Sequence, residues 1–364
     1  MKKGIKVIIT GGGTAGHVMP ALAVAEVLKK QNCEILYIGS KKGIEAKLVL
    51  KYNLPFKTII CGKLRRYWSL RNFIDPVKII LGIIQSLWYI ARFQPKVVFS
   101  KGGYVGFPVV VASWILRKPI IIHESDLTLG LANRLSLPLA KRLAVSFPVE
   151  NYPHLPAKKI IYTGNPLRKI FLPNISESKI YFQLKENLPV LLIMGGSQGA
   201  HRINQTIQSV LPELLSHVQI IHITGPYDFK CFKSIKEELP SLLKVNYHVY
   251  DFLADKIFSA MAVADLIINR AGANSLFETA FFGKPLILIP LPGHQEKNAE
   301  FFAQHKAAYM IKNNELTPQI LLKNINHLLE NSKERKILSK NLSSFVIPEA
   351  AEIISQEIIK LALK

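Results

Sequence analysis

The sequence predicts an α/β protein made of two doubly wound, parallel-sheet domains, and three observations carry that expectation. The chain has 364 residues, more than one hydrophobic core usually organises. Short apolar runs alternate with longer stretches of helical spacing, which is the pattern of parallel strands joined by crossover helices. The alternation also starts twice: Val7-Ile8-Ile9-Thr10-Gly11-Gly12-Gly13 and Leu191-Leu192-Ile193-Met194-Gly195-Gly196-Ser197 both run from a strand into a glycine turn.

In chain order, the first set of strands is expected at 6–10, 35–38, 58–60, 96–99, 120–122 and 143–145. The second is expected at 190–194, 219–223, 245–249, 266–268 and 286–289. Each run is short, rich in β-branched residues and followed by Gly, Pro or polar punctuation. The joint belongs near Thr163-Gly164-Asn165-Pro166, where Gly and Pro interrupt and a polar, irregular stretch follows. This divides the chain into 1–163 and 164–345, with a closing helix over 346–364 that returns to the first domain.

Composition narrows the class. Apolar residues make up 49% and charged residues 20%, as in an ordered globular protein. A formal charge of +22, from 47 Lys and Arg against 25 Asp and Glu, favours anionic partners in general without choosing among nucleic acid, lipid and phosphorylated substrates. The three cysteines, Cys33, Cys61 and Cys231, are odd in number and far apart, which predicts neither a disulfide framework nor a zinc cluster and fits a reducing cytosol. The basic start Met1-Lys2-Lys3 is followed by only a short apolar stretch before Gly11, so a first strand is expected there in place of a signal peptide.

Residues 73–92 contain Ile79-Ile80-Leu81-Gly82-Ile83-Ile84 and Leu87-Trp88-Tyr89-Ile90. Asp75, Pro76, Lys78 and Gln85 break any spanning length. A buried crossover helix is the first reading, and a helix partly facing lipid is the second. Lys63, Arg65, Arg66, Tyr67, Trp68 and Arg71 just upstream join positive charge to interfacial aromatics.

Four glycine-bearing turns follow strands: 11–16, 102–103, 195–199 and 270–273. In open α/β sheets the carboxyl ends of the strands form the ligand crevice, and amides at a helix start can hold a diphosphate. Gly11, Gly13 and Gly16, with Glu34 downstream, also satisfy a dinucleotide fingerprint, which keeps an oxidoreductase open as a rival. The chain has no Asp-x-Asp pair and no tight His/Cys/carboxylate cluster, so no metal and no cofactor is expected, and a leaving diphosphate would be held by amides and hydroxyls.

His17 follows the first glycine turn and Glu124 ends the 120–122 run; both residue types can accept a proton, and capping or ion pairing are their structural alternatives. Glu278 lies on the helix opened by Gly272, at a reach suited to ribose hydroxyls. His294-Gln295 occupies a strand-to-helix loop that either contacts a sugar or is purely structural.

Four segments in this order, Gly11-Gly12-Gly13-Thr14-Ala15-Gly16-His17-Val18-Met19-Pro20, His123-Glu124-Ser125-Asp126, Gly164-Asn165-Pro166-Leu167-Arg168 and Gly195-Gly196-Ser197-Gln198-Gly199-Ala200, resemble the MurG family of bacterial N-acetylglucosamine transferases. The resemblance spans nearly the whole chain. It implies a GT-B fold, with two Rossmann-like domains facing across a cleft. The amino-terminal domain would bind the acceptor and associate with the membrane, and the carboxyl-terminal domain would bind UDP-GlcNAc. The implied reaction moves GlcNAc, with inversion, from UDP-GlcNAc to the 4-hydroxyl of N-acetylmuramyl-(pentapeptide) pyrophosphoryl-undecaprenol. It also implies a peripheral enzyme of peptidoglycan synthesis, cell shape and cell division on the cytoplasmic face of the inner membrane, with an anionic membrane surface as partner.

Position by position, Thr14, Ala15 and Gly16 match the family's loop at the donor sugar, and Arg168 and Ser197 match groups near the diphosphate. Leu253 matches the position beside uracil. Gly272, Ala273, Asn274, Ser275, Leu276, Phe277 and Glu278 match the nucleotide-binding segment, with Glu278 as ribose ligand, and Gln295 matches a donor-sugar contact. His17 resembles the favoured base. Asp126 matches a sugar-contact position, in a segment that reads His-Glu-Gln-Asn in other members, and Ala15 stands where many members have Gly.

Another GT-B enzyme, such as a UDP-sugar epimerase, would share the donor site and lack the membrane face. A nucleic-acid-binding role rests on charge alone, without a recognisable binding module.

Overall fold

The computed structural model of the chain is described for residues 4–62, 71–168, 170, 172–196 and 198–364, with 71–73 described by backbone alone. Ser197, the basic and aromatic stretch 63–68 and the Arg71 side chain lie outside the described residues. The chain forms two compact units: Met1–Lys169 with Ile347–Lys364, and Ile170–Val346.

The first unit is built on a seven-stranded sheet: β1 (Lys6–Thr10), β2 (Glu34–Ser40), β3 (Phe56–Ile59), β4 (Val97–Ser100), β5 (Ile120–Glu124), β6 (Arg142–Val145) and β7 (Ile160–Tyr162), in the order β3-β2-β1-β4-β5-β6-β7. Every pairing is parallel. The central strands β1, β4 and β5 are apolar on both faces because helices cover both, and Val7, Ile8, Ile9, Val97, Val98 and Phe99 are all fully buried. The chain leaves β1 for β2 on one side and reaches β4 on the other. The point between β1 and β4 is therefore a topological switch point, where α/β sheets open a ligand crevice. The terminal helix Ala350–Ala362 packs on the helix Ala15–Lys30 and on β4, contributing Ile354 and Ile358 to the core.

The second unit repeats the plan with β8 (Val190–Met194), β9 (Gln219–Ile223), β10 (Tyr247–Tyr250), β11 (Leu266–Asn269), β12 (Leu286–Leu288) and β13 (Tyr309–Met310), ordered β10-β9-β8-β11-β12-β13. These pairings are parallel too, and the switch point falls between β8 and β11. β7 and β13 were not expected from the sequence. They span three and two residues at sheet edges, too few to register as apolar runs. The helix after β1 begins at Ala15 and carries Pro20 inside it.

The helix Arg71–Phe93 overturns the buried-crossover reading. It packs on the helix Gly103–Ile115 through a face bearing Asp75, Gly82, Ser86 and Ile90. Its bulky apolar residues Ile74, Val77, Ile80, Leu81, Ile84 and Trp88 turn outward, with Ile80 and Trp88 each 57% exposed. Their three- and four-residue spacing makes a single continuous stripe. Small and polar residues face the protein because Gly82 lies directly against the Ile60 carbonyl, where a side chain would clash.

Candidate functional site

In the first unit the loop after β1 is shaped by a buried carboxylate. Glu45, in the first turn of the helix Ile44–Lys51, is fully buried and accepts from the Gly13 amide at 3.1 Å and from the Ser40 amide at 3.0 Å, with the Ser40 hydroxyl as a further donor. A Cβ on Gly12 would lie 2.6 Å from Glu45 Oε1, and Gly13, at φ +90°, rides over the Tyr104 ring. The Tyr37 hydroxyl donates to the Gly11 carbonyl at 2.7 Å. This geometry corrects the dinucleotide fingerprint: the loop already serves an internal anion, and the acid expected to meet a ribose, Glu34, opens β2 at the end away from the crevice and pairs with Lys6. Sequence reasoning passed over Glu45, because an acid at a helix start looks like an ordinary dipole partner.

Thr14 caps the helix Ala15–Lys30 by position, yet its hydroxyl goes to His17 Nδ1 at 2.9 Å and not to a helix amide. The His17 tautomer that donates from Nδ1 to Thr14 Oγ1 carries its lone pair on Nε2, which is what a proton acceptor requires. Thr14 and Gly16 are exposed, and Ala15 and His17 are half-buried.

At the end of β5, Glu124 is an anchor. Its Oε1 accepts from the amides of Ser125 (3.0 Å) and Asp126 (3.2 Å), and its Oε2 from the Gly130 amide (2.8 Å) and Asn133 Nδ2 (3.0 Å). Burial pushes its carboxyl upward, with Asp126 adding, while Lys101, the Gly130 amide and Asn133 pull it back down. His123 beside it is fully buried, bonds the Gly164 carbonyl through Nε2 at 3.1 Å and is held well below the ordinary histidine range by burial and by Lys101. The Ser125 hydroxyl donates to Asn165 Oδ1 at 2.6 Å, so two sequence motifs 40 residues apart form one bonded cluster. Asp126 is half-buried, and its carbonyl accepts weakly from Tyr152 at 3.5 Å. Arg168, half-buried, belongs with this first unit and not with the second, where the sequence division at 164 had put it. Lys101, only 1% exposed, follows β4 beside this cluster and was also missed, since a lysine before two glycines reads as a surface residue.

In the second unit the turn after β8 carries Gly196 at φ +87° with no atom within 4 Å of where a Cβ would be, while Gly199 at φ +78° backs onto the Thr224 carbonyl. Its outer side is open and its inner side is packed. The turn after β11 is locked from below: Asn298 donates to the Ala271 carbonyl at 3.0 Å, and the buried Arg270 donates to the Ile289 carbonyl (2.9 Å) and to Asn313 (2.8 Å). Gly272 is the N-cap of the helix Ala273–Phe281, and Ser275 donates back to its carbonyl at 3.1 Å. Asn274, Ser275 and Glu278 are half-buried along this helix. Ala273, Leu276 and Phe277 are buried, and the Phe277 ring packs edge-on against Phe302; their side chains serve the core. Leu253 is buried as well, and its carbonyl accepts from the Lys256 amide at 2.7 Å. His294 and Gln295 are the first two residues of the helix His294–Gln304 and not loop residues as expected. Gln295 Oε1 accepts from the Leu291 amide at 3.1 Å, and its Nε2 stands 3.9 Å from a Cβ position on Gly272, so the start of this helix meets the turn after β11. Among the described residues no three His, Cys, Asp or Glu side chains group as a metal site.

Two buried histidines of this unit make its stability pH-dependent. Burial pushes His222 down to about 3 and His248, with Lys236 adding, down to about 4. Both stay neutral in the fold while the unfolded chain takes up protons below about pH 6.5. Stability is therefore fully present above that pH and falls as pH drops toward the folded values, by up to about 1.4 kcal/mol per pH unit for each group. Thermal denaturation between pH 7.5 and 4.5 should show a falling midpoint whose slope is reduced in His248→Gln; an equal slope in both proteins would contradict this assignment.

The family model for the glycosyltransferase family 28 N-terminal domain matches residues 7–145, and that for the family 28 C-terminal domain matches residues 190–354. The chain is 41% identical over 343 residues, 92% of its length and 94% of the relative's, to the UDP-N-acetylglucosamine–N-acetylmuramyl-(pentapeptide) pyrophosphoryl-undecaprenol N-acetylglucosamine transferase of Lachnoclostridium phytofermentans. It is 38% identical over 359 residues, 97% and 99% of the two chains, to an enzyme of the same name, numbered 2, from Bacillus cereus. The crystal structure of Acinetobacter baumannii MurG superposes with a TM-score of 0.78 at 27% identity, covering 98% of this chain and 99% of that one. A UDP-GlcNAc 2-epimerase from Neisseria meningitidis reaches 0.69 at 15% identity over 98% of this chain and 100% of that one, a likeness of fold alone.

Proposed function

This chain belongs to glycosyltransferase family 28, in its MurG branch, and from that premise we propose that it transfers GlcNAc from UDP-GlcNAc to the 4-hydroxyl of N-acetylmuramyl-(pentapeptide) pyrophosphoryl-undecaprenol. Near-full-length identity to enzymes of that name carries the reading. The local geometry supports it through two half-sites, one at each switch point: His17 held by Thr14 in the first unit, and the open Gly196 turn with the Gly272–Glu278 segment in the second.

In this mechanism the acceptor oxygen attacks the anomeric carbon from the face opposite UDP, and its proton passes to His17 Nε2. The C–O bond to UDP breaks, and the electron pair leaves on the β-phosphate oxygen. The amides of the 195–199 turn, the Ser197 hydroxyl and Arg168 meet that charge. Glu278 takes the ribose hydroxyls and Leu253 the uracil through its backbone. By the family resemblance Gln295, Thr14, Ala15, Gly16 and Asp126 are assigned to the donor sugar, and Glu124 sets the 125–130 loop. Ala273 to Ser275 add backbone contacts, while Leu276 and Phe277 hold the helix in place. No metal or organic cofactor is assigned. Transfer of label from UDP-GlcNAc to a lipid-linked muramyl acceptor tests donor, acceptor and reaction together; formation of an epimerised UDP-sugar without acceptor would overturn the reading in favour of an epimerase.

The enzyme works as a peripheral protein of the cytoplasmic face of the inner membrane, in the wall synthesis that underlies cell shape and division. The exposed stripe Ile80, Ile84 and Trp88, with Arg92 over the Trp88 ring at 5.6 Å, supports that placement. Ile80→Glu/Ile84→Glu is expected to reduce sedimentation with phosphatidylglycerol vesicles about tenfold or more while sparing transfer to a short-chain soluble acceptor. Unchanged vesicle binding would refute it.

A further inference from the structure

A second histidine stands beside the glycine turn after β8, and none of the roles above uses it. His201 is the first residue of the helix His201–Leu215, two positions after Gly199. Its Nδ1 bonds Asp228 Oδ1 at 2.8 Å, and its side chain is 57% exposed while that of Asp228 is 8% exposed. Asp228 is fixed from behind: its Oδ2 accepts from Asn204 Nδ2 at 2.7 Å, and that amide also donates to the Thr224 carbonyl at 2.9 Å. Asn204 Oδ1 faces His222 Nε2 at 3.0 Å, and His222 Nδ1 faces the Tyr247 hydroxyl at 2.8 Å.

The donors in this chain can be assigned. An amide oxygen only accepts, so His222 donates from Nε2 to Asn204 and accepts at Nδ1 from Tyr247. Tyr247 and His222 are fully buried and Asn204 nearly so. The chain therefore runs from the sheet interior to one exposed imidazole. A buried carboxylate that is oriented by an amide and in turn orients a histidine is the arrangement by which proteins fix the angle and tautomer of a functional ring. An aspartate on Nδ1 requires Nδ1–H, and a ring protonated on both nitrogens keeps that bond and presents a second N–H at Nε2. The loop bearing Asp228 is pressed against the glycine turn, since a Cβ on Gly225 would lie 2.6 Å from Gly199. Tyr227, 83% exposed, sets its ring edge-on to His201 with centroids 5.8 Å apart.

We propose that His201, oriented by Asp228 and the buried Asn204–His222–Tyr247 chain, is a cationic contact for the diphosphate of the nucleotide donor at the 195–199 turn. This rests on the reading above that the turn receives that diphosphate. The contact is a charge-assisted N–H to a phosphate oxygen; it strengthens as charge gathers on the leaving UDP, and no bond to His201 forms. Asp228 and Asn204 are positioning residues that act through it.

The test is calorimetric binding of UDP and of uridine to the full-length protein and to His201→Ala, His201→Arg and Asp228→Ala, with thermal midpoints measured alongside. His201→Ala should weaken UDP about tenfold and leave uridine within about twofold, His201→Arg should recover most of the loss, and Asp228→Ala should fall between. A purely structural histidine would lower both ligands together and would not be rescued by arginine, and that result overturns the proposal. Unchanged UDP affinity in His201→Ala, beside a wild type that binds UDP more tightly than uridine, overturns it while sparing the diphosphate assignment. A wild type that binds UDP no better than uridine overturns both.

Discussion

Replacing His17 with alanine should lower turnover by about 10²- to 10⁴-fold, the range over which positioned acid–base groups act, with little change in UDP affinity. The two effects separate because His17 lies in the unit Met1–Lys169 and the nucleotide-binding segment in the unit Ile170–Val346. Thr14→Val supplies a graded control. It keeps the shape at the cap position and removes only the oxygen that meets His17 Nδ1 at 2.9 Å, so the ring loses one hydrogen bond that orients it. A fall of about tenfold is expected there, in line with the loss of one positioning hydrogen bond. Single-turnover transfer and UDP titration on the same preparations provide both readouts. Parallel losses in turnover and UDP binding for His17→Ala would remove His17 from the role of base.

Glu124→Ala should be the most disruptive single change at the β5 end, costing about 3 kcal/mol of stability and raising the acceptor KM. Four donors converge on that carboxylate, three of them backbone amides of one loop, and truncation leaves them without an acceptor in a buried site. Glu124→Gln retains one oxygen and should keep much of the stability together with measurable turnover. A folded Glu124→Gln protein with turnover as low as His17→Ala would return Glu124 to the chemistry as a base.

The two sheets, their glycine turns and the restart of the pattern at Val190 were legible because parallel strands buried on both faces must be almost wholly apolar, and few other elements are so short and so apolar. The edge strands β7 and β13 were not legible, since three and two residues carry no period. Glu45 and Lys101 escaped for a different reason. A charged residue is read as exposed unless its partners are known, and the partners of Glu45, Ser40 and the Gly13 amide, come from the end of β2 and from a loop far back in the chain. The His201–Asp228 pair likewise joins a helix start to the loop after the neighbouring strand, which no local spacing announces.

Residue order alone dictates the layered α/β architecture, the places where strands give way to glycine turns and, through motif resemblance, the family, because these depend on local apolar periodicity and on backbone conformations that only glycine tolerates. Tertiary packing alone decided which polar groups are anchors and which remain available. Glu124 became a loop tie because β5 delivers it among four donors. The dinucleotide fingerprint was emptied by Glu45, and the apolar stripe of Arg71–Phe93 was turned outward by Gly82 meeting the Ile60 carbonyl. Each of these outcomes follows from the cost of burying an unpaired charge or overlapping two atoms, and both depend on which distant segments fold against one another.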